Sequence, residues 1–327
     1  MSLVAPDLDV VALGSAIVDV IASTDDQTLA AYGLAKGTMA LVDADRAQQL
    51  YAEMGPAVEV SGGSAANTVA GVASFGGAAG FIGKVRDDQL GEVFAHDIRS
   101  IGVHYDTPPA TAGEPTARCL VLVTPDGERT MNTFLGAATG LHADDVDPAV
   151  IKRAKVTYLE GYLWDPPQAI DALRRAVAVA HEADRLVAFT LSDPFCVDRH
   201  RDEFLELIAG DVDVLFANEV EILSLFQVDD VKEALERARD VCQVTAVTRS
   251  EHGSVVVSGG DTVVVPAVPV ERVVDTTGAG DLYAAGFLFG LARGESWQRC
   301  AELGSLAAAE VISHIGARPQ VPLASLA

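Results

Sequence analysis

Short apolar runs alternate with segments of helical periodicity along much of this chain, and no other feature limits its fold as strongly. The apolar runs cover residues 10–13, 79–82, 156–159, 186–190, 214–217, 245–248 and 255–257. Segments with the period of an amphipathic helix lie between several of them, for example residues 168–183 and 230–241. Because strands that alternate with helices form parallel sheets covered on both faces, the pattern predicts an α/β fold with a mainly parallel central sheet.

Two stretches break this alternation. Residues 38–42 and 57–60 have the pattern of short strands, and so do residues 118–123 and 128–134. The second pair flanks Pro125-Asp126-Gly127, in which proline presets φ and glycine supplies a positive φ, as a tight turn requires. Such strands commonly form a lid or an edge between subunits. We expect a small β lid, inserted from about residues 36–60 and 105–135 into a single domain that spans residues 1–327.

The charge balance excludes two classes of partner. The chain carries 23 Lys and Arg against 47 Asp and Glu, a formal net charge of −24. A nucleic-acid binder would need a basic patch, and an anionic membrane surface is disfavoured for the same reason. The 4 cysteines are widely spaced, without a CxxC pair, so neither a zinc site nor a disulfide framework is expected. With no apolar run typical of a signal peptide, the composition predicts a cytoplasmic protein.

The glycine-rich turn at residues 275–281, Asp-Thr-Thr-Gly-Ala-Gly-Asp, carries the clearest chemical signal. It follows a strand-like run and precedes an apolar, helix-like stretch at residues 282–291. Small residues before a helix leave its first N–H groups open, and these groups attract an anion. Asp281 would lie on the first turn, where a carboxylate can take a proton from an alcohol that attacks phosphorus. The alternative is a helix with glycines for close packing and an acidic residue for its dipole. The turn is not a Walker A loop, because the chain contains no GxxxxGK[ST].

Polar residues beside other apolar runs are further candidates. In the segment at residues 61–67, Gly63 would permit close approach of a ligand to the backbone, and Asn67 would offer a donor and an acceptor to hydroxyls; a tight turn before a packed helix is the alternative. Asp19, just after the first run, could accept hydrogen bonds from vicinal hydroxyls, or be a loop residue or helix cap.

A second group of candidates concerns phosphates and metal. Asn218 and Glu221 come at a strand end and offer the oxygen ligands that Mg²⁺ prefers; a capping asparagine with a glutamate in the first turn explains the spacing equally well. Arg129, after the turn at residues 125–127, could contact the transferred phosphate from the lid, or be a solvated surface arginine.

These segments together resemble the ribokinase-like (PfkB) carbohydrate and nucleoside kinases, from residue 10 to about residue 319. Residues 275–288 fit the C-terminal signature of that family, and residues 61–67 resemble its GG-x-x-x-N element. The resemblance implies a three-layer αβα domain with a small β lid. It also implies ATP, Mg²⁺ and a monovalent cation (K⁺) as cofactors.

The resemblance assigns roles to residues at matching positions. It makes Asp281 the catalytic base in an anion hole formed by Gly278, Ala279 and Gly280. The substrate residues would be Ser15, Asp19, Gly63 and Asn67, with Ser15 where many relatives have asparagine. Glu221 would organise Mg²⁺ through water, and ATP would be bound by Asn218, Thr248, Gly253 and Gly280. In the nucleotide loop the chain departs from the family pattern, because Ser250 replaces a usual glycine.

The lid strands, residues 161–164 and residues 303–315 are most similar to adenosine-kinase-like members of that family. Adenosine is therefore the expected substrate, with ribose or fructose as the alternative. Tyr162 and Trp164 are candidates to stack on a base, although buried core positions are the default for both. A non-catalytic sensor of sugar or nucleotide is a more distant alternative. The lid edges would also permit a homodimer. A Rossmann dehydrogenase is excluded, because no GxGxxG follows the first run.

Overall fold

The predicted alternation of strands and helices is present in the computed structural model, which describes residues 5–327. The strands are β1 (Leu8–Leu13), β2 (Ile17–Ser23), β3 (Met39–Leu41), β4 (Ala57–Gly62), β5 (Ala79–Ile82), β6 (Ala117–Val123), β7 (Arg129–Phe134), β8 (Ala154–Glu160), β9 (Leu186–Thr190), β10 (Val214–Asn218), β11 (Val244–Thr248), β12 (Ser254–Ser258) and β13 (Asp261–Val265). The helices are α1 (Asp26–Ala31), α2 (Ala44–Glu53), α3 (Ser64–Ser74), α4 (Gln89–Ser100), α5 (Pro148–Arg153), α6 (Pro167–Glu182), α7 (Pro194–Asp211), α8 (Glu219–Phe226), α9 (Val231–Val241), α10 (Ala279–Ala292) and α11 (Trp297–Val311).

The large sheet has the strand order β13-β12-β11-β10-β9-β8-β1-β5. Strands β5, β1, β8, β9, β10 and β11 are parallel, and β12 and β13 extend the sheet antiparallel. One core cluster lies under α3, α10 and α11, and a second lies under α5 to α9 on the other face. The prediction of a three-layer α/β fold with a mainly parallel sheet is therefore confirmed.

The small sheet has the order β3-β7-β6-β2-β4. Strands β3, β4, β6 and β7 lie in the regions from which lid strands were expected. Strand β2 was missed, because only three residues separate it from β1. Asp19 is consequently a strand residue, and the expectations of a loop or a helix cap at that position are wrong.

The two faces of the small sheet have different surroundings. Alternate residues such as Val18, Val20 and Leu120 pack in the main core, and Ala22 and Leu122 pack on Leu29 of α1. The opposite face includes Asp19, which is paired with Val60 on β4 and with Cys119 on β6. Since strand side chains alternate between faces, Asp19 lies opposite the core-facing residues, and its carboxylate interacts electrostatically with Arg129, Arg318 and Asp281.

The parallel strands of the large sheet end together at its carboxyl edge. Glu160 ends β8, Asn218 ends β10 and Thr248 ends β11, while Gly14 follows β1. In open α/β sheets ligands bind in the crevice at this edge. Asn218 and Thr248, which were singled out in the sequence, lie there.

No helix among residues 5–327 combines the length and the apolar character needed to cross a membrane.

Candidate active site

The N-terminus of α10 leaves backbone donors open. Gly278 is its N-cap residue, with φ of 81°, and it makes no side-chain cap. Within the described chain, the N–H groups of Gly280 and Asp281 have no backbone acceptor. A Cβ on Gly278 would lie 2.8 Å from the Cβ of Ala317, so a glycine is needed there. Open N–H groups at a helix N-terminus attract an anion.

Asp281 lies beside these donors and faces α3. Its Oδ1 accepts a 2.6 Å hydrogen bond from Ser64 Oγ, and its Oδ2 accepts one of 3.1 Å from Asn67 Nδ2. Burial raises the pKa of Asp281, whereas the hydrogen bonds from Ser64 and Asn67 and the charge of Arg318 lower it. The structure thus places a half-buried carboxylate between an open helix N-terminus and the 61–67 segment.

Glu160 is a site residue that the sequence reasoning missed. Its Oε1 accepts a hydrogen bond of 2.7 Å from the Ser15 amide, and its Oε2 accepts one of 2.9 Å from the Ala65 amide. A Cβ on Gly14 would lie 2.4 Å from Oε2, so no side chain fits there. Burial raises the pKa of Glu160 to about 7. This carboxyl therefore joins the turn after β1 to the start of α3. The only local signal was a glutamate directly after an apolar run.

Asp19 extends from the small sheet over Gly62, where a Cβ would lie 2.4 Å from its Oδ2. Among the described residues, no hydrogen bond reaches its carboxylate. Burial raises the pKa of Asp19 to about 6, with Arg129 and Arg318 opposing the rise and Asp281 adding to it. A half-buried carboxylate without hydrogen-bond donors is available to a ligand.

The backbone at Gly63 makes a close approach within the chain itself. Its φ is 98°, and a Cβ there would lie 2.2 Å from the Ser15 carbonyl oxygen. The glycine thus brings the 61–67 segment against the turn after β1. Contact of Gly63 with a ligand remains a prediction.

Asn218 and Glu221 form a capping box at the start of α8. The Asn218 side chain accepts from the Glu221 amide at 2.8 Å, and the Glu221 carboxylate accepts from both nitrogens of Asn218, at 2.9 and 2.7 Å. Burial raises the pKa of Glu221 to about 7, the Asn218 amide opposes this, and Asp193 adds to it. The capping alternative is thus confirmed as a structural role.

A metal role for Glu221 is compatible with this arrangement only through water. Both carboxylate oxygens are already hydrogen-bonded. In the described part of the chain, no three His, Cys, Asp or Glu residues are grouped so as to hold a metal ion. Mg²⁺ commonly keeps several waters and uses substrate phosphates as ligands, so one outer carboxylate fits that ion.

The nucleotide-loop candidates lie between β11 and β12. A Cβ on Gly253 (φ of 79°) would lie 2.0 Å from the Val265 carbonyl oxygen, so this glycine is required by packing. Ser250 has φ of 49°, in the left-handed region. The loop therefore keeps the conformation that a glycine would favour, although serine occupies the position. Thr248 is half-buried at the carboxyl edge.

Arg129 reaches from β7 to the glycine-rich turn. Its Nη1 lies 2.5 Å from Asp275 Oδ2, and their side chains are only 7% and 6% exposed. Asp275 also accepts from the amides of Thr277 and Gly316, at 3.0 and 2.9 Å. Burial raises the pKa of Asp275, but these amides and Arg129 hold it below its usual range. The expectation of a solvated surface arginine is wrong, whereas contact with a phosphate remains a prediction.

The two aromatic candidates differ. Trp164 is 2% exposed, makes edge contacts with Phe189 and Phe204, and donates to Glu203. It is a core residue, so the idea that it stacks on a base is wrong. Tyr162 is partly exposed at the carboxyl edge, and its hydroxyl donates to the Ser192 carbonyl at 3.2 Å.

Open donors at a helix N-terminus can stabilise a phosphoryl group in transfer, and a carboxylate beside them can accept the proton of the attacking alcohol. Residues 8–324 match the model of the pfkB family of carbohydrate kinases. The chain therefore belongs to that family and is a kinase, as the resemblance implied.

Individual relatives make the relationship more specific. The crystal structure of adenosine kinase from Sinorhizobium meliloti is 56% identical, with a TM-score of 0.90 and 98% of each chain covered. A probable sugar kinase from Rhizobium etli is 52% identical, with a TM-score of 0.91 and the same coverage. Adenosine kinase from Saccharomyces cerevisiae is 30% identical, over 94% of this chain and 95% of that protein. The chain is thus an adenosine-kinase-like member of the family.

Proposed function

We propose that this kinase transfers the γ-phosphate of ATP to the primary hydroxyl of adenosine, giving AMP and ADP, with Asp281 as the general base. The position of Asp281 carries this proposal. On one side are the open N–H groups of Gly280 and Asp281, which suit phosphate oxygens. On the other side is Asn67, which suits the hydroxyls of a sugar.

In the proposed reaction, Asp281 accepts the proton of the hydroxyl as that oxygen bonds to the γ-phosphorus, and the bond from phosphorus to ADP breaks. The amides at Gly278, Gly280 and Asp281 would stabilise charge on the transferred group, because donors fixed by the fold need no reorganisation. The Ala279 amide donates to the Thr276 carbonyl at 3.2 Å, so the expectation that it is an open donor of the anion hole is wrong. Asp19 and Asn67 orient the sugar, with Ser15 and Gly63 forming the adjacent backbone.

The nucleotide is proposed to lie along the ends of β10 and β11. Asn218, Thr248 and Gly253 would line it, and Arg129 would contribute a positive charge from the small sheet. Glu221 would hold Mg²⁺ through water, and the ion when bound would neutralise phosphate charge. A monovalent cation remains a prediction from the family resemblance.

The small sheet supports a nucleoside over a free sugar. Its inner face carries a row paired across all five strands: Val60, Asp19, Cys119, Thr133 and Leu41. The next row is apolar throughout: Val58, Ile21, Val121, Met131 and Met39. A cleft of about 330 Å³ adjoins Leu41 and Thr133 and continues along Phe134 to Gly136. Apolar surface beside the Asp19 carboxylate, which is proposed to bind the sugar diol, suits the purine base of a nucleoside, whereas a free sugar would need hydroxyl partners.

We further propose that this sheet is a lid inserted into a single kinase domain. Its edge strands β3 and β4 each pair with only one neighbour among the described strands. A homodimer that pairs these edges is part of the same proposal.

A coupled assay of ADP release tests the substrate. Adenosine, guanosine, ribose, fructose and fructose 6-phosphate are offered in turn at equal ATP and Mg²⁺. We expect the highest kcat/KM with adenosine. Preference for ribose or fructose would establish the sugar-kinase alternative, to which the likeness to a probable sugar kinase also points. If no alcohol in the panel releases ADP, the proposal fails and a binding-only role regains support.

A further inference from the structure

Arg318, in the segment after α11, is outside every motif discussed above, yet its side chain contacts the 61–67 segment of the site. Its Nε donates to Asn67 Oδ1 at 2.9 Å, and its Nη2 donates to Ser61 Oγ at 2.9 Å. The Ser61 hydroxyl in turn donates to Asp97 Oδ2 at 2.5 Å. One half-buried guanidinium therefore contacts two residues of the 61–67 segment.

These contacts determine the orientation of the Asn67 amide. A guanidinium can only donate hydrogen bonds, so the oxygen of Asn67 has to face Arg318. The amide nitrogen then faces Asp281, whose carboxylate can only accept. Arg318 and Asp281 therefore favour the same orientation of the amide from its two sides. If Arg318 were absent, the Asn67 oxygen would lose its guanidinium donor, and Asp281 alone would hold the amide in place.

We propose that Arg318 is a positioning residue for catalysis: through Asn67 it directs a hydrogen-bond donor at Asp281. The inference rests on the proposed role of Asp281 as base and extends it to a residue far away in the sequence. Arg318 does not need to touch the substrate for this role.

Other ionisable groups also interact with Asp281. Asp19 lies on β2, Tyr158 and Glu160 lie on β8, and Tyr162 follows β8; each interacts electrostatically with Asp281. All four are acidic groups, so none offsets the negative charge of Asp281. Burial lowers the pKa of Arg318, while Asp97, Asp19 and Asp281 favour its charged form. Arg318 is the cation that acts on Asp281 among the described residues.

The test compares Arg318→Gln with Arg318→Lys across pH, using ATP and whichever alcohol the substrate panel selects. In Arg318→Gln, we expect kcat/KM for the alcohol to fall about tenfold at pH 7. The pH at which kcat/KM falls on the acidic side of the pH profile (its acidic limb) should rise by roughly one unit, because the ionised form of Asp281 is no longer stabilised by the positive charge of Arg318. The loss should therefore shrink at high pH, and KM for ATP should change little. Arg318→Lys keeps the charge and should give a smaller shift of the limb.

Two controls separate this role from a structural one. Arg299→Gln removes a charge from an exposed pair on α11 and should leave the limb in place. Asn67→Ala removes the intermediary, so Arg318→Gln should cost less in that background than in the wild type. Because Asp19 also lies near Arg318, the limb is compared again in an Asp19→Asn background, where the shift should persist.

An unchanged limb together with additive losses in the Asn67→Ala background would overturn the inference. If Arg318→Gln does not fold, as a melting curve would show, Arg318→Lys is put through the same cycle, where additivity again counts against it. If Asp281→Asn loses turnover but the acidic limb of Arg318→Gln does not shift, only the inference about Arg318 is refuted. Full turnover of Asp281→Asn would instead refute the proposed role of Asp281 as general base, on which the inference about Arg318 rests.

Discussion

Arg129 and Asp275 form a buried ion pair that joins strand β7 of the small sheet to the head of the glycine-rich turn. Their sequence separation is 146 residues, and the side chains that make the 2.5 Å contact are only 7% and 6% exposed. The pair holds the proposed lid against the helix N-terminus at which we place the phosphates. Only Nη1 of Arg129 makes this contact, and Nε has no hydrogen-bond partner among the described residues, so the guanidinium keeps donors beyond those used on Asp275.

Arg129→Gln should destabilise the protein, because it leaves the Asp275 carboxylate buried without its cation. Loss of one partner from a buried pair costs about 3 kcal/mol or more, to be measured as the free energy of unfolding in urea. Arg299→Gln, which breaks an exposed pair, should change it by no more than about 0.5 kcal/mol. Equal effects of the two substitutions would contradict a stabilising role for the buried pair.

Glu160 should make stability depend on pH. Burial raises its pKa from 4.5 to about 7, so the folded state binds the proton more tightly than the unfolded chain. Its contribution is therefore present at low pH and is lost as the pH rises from about 4.5 to about 7. Glu160→Gln removes this titration. The free energy of unfolding should therefore fall by about 1–3 kcal/mol less between pH 5 and pH 8 in this variant than in the wild type. The exposed Glu251→Gln is the control; an unaltered slope in Glu160→Gln would contradict the burial effect.

Glu221→Ala should raise the Mg²⁺ concentration needed for half-maximal rate about tenfold or more, as expected for a carboxylate that orients metal-bound water. Loss of the capping box should also lower stability by about 1 kcal/mol. Glu219→Ala is a matched control, since Glu219 lies in the same helical turn but pairs with Arg249. A Mg²⁺ titration that matches the control would leave Glu221 with its capping role alone.

Leu41→Ser should weaken nucleoside binding. Leu41 is 63% exposed on the inner face of the small sheet, where the base is proposed to bind. Removal of this apolar contact should raise KM for adenosine roughly 5–50-fold and leave KM for ATP unchanged. Val264→Ser, at a position 61% exposed on β13, is the control for a surface substitution. If both variants behave alike, the base does not bind at Leu41.

The fold was largely predictable because its signals are local. The apolar runs at residues 79–82 and 186–190 coincide with β5 and β9 at both ends. Strand β2 was not predicted, because it follows β1 almost directly and alternates in burial instead of forming a continuous apolar run. The alternation at Ile17–Ser23 was the signal that could have revealed it.

The site was predictable only where one segment carries the chemistry. Gly278 to Asp281 are contiguous, so their strand–turn–helix setting was visible in the sequence. Glu160 contacts Ser15 at a separation of 145 residues, and Arg318 contacts Asn67 at a separation of 251 residues. Such contacts depend on the tertiary fold, and no local sequence pattern predicts them.

Asp281→Asn offers the sharpest measurement, because asparagine keeps the size of the side chain but cannot accept the proton. Single-turnover and steady-state rates of ADP release would be measured with adenosine, alongside ATP affinity. We expect kcat to fall by roughly 10²–10⁴ while ATP binds nearly as in the wild type. Turnover close to that of the wild type would contradict the assignment of Asp281 as the base.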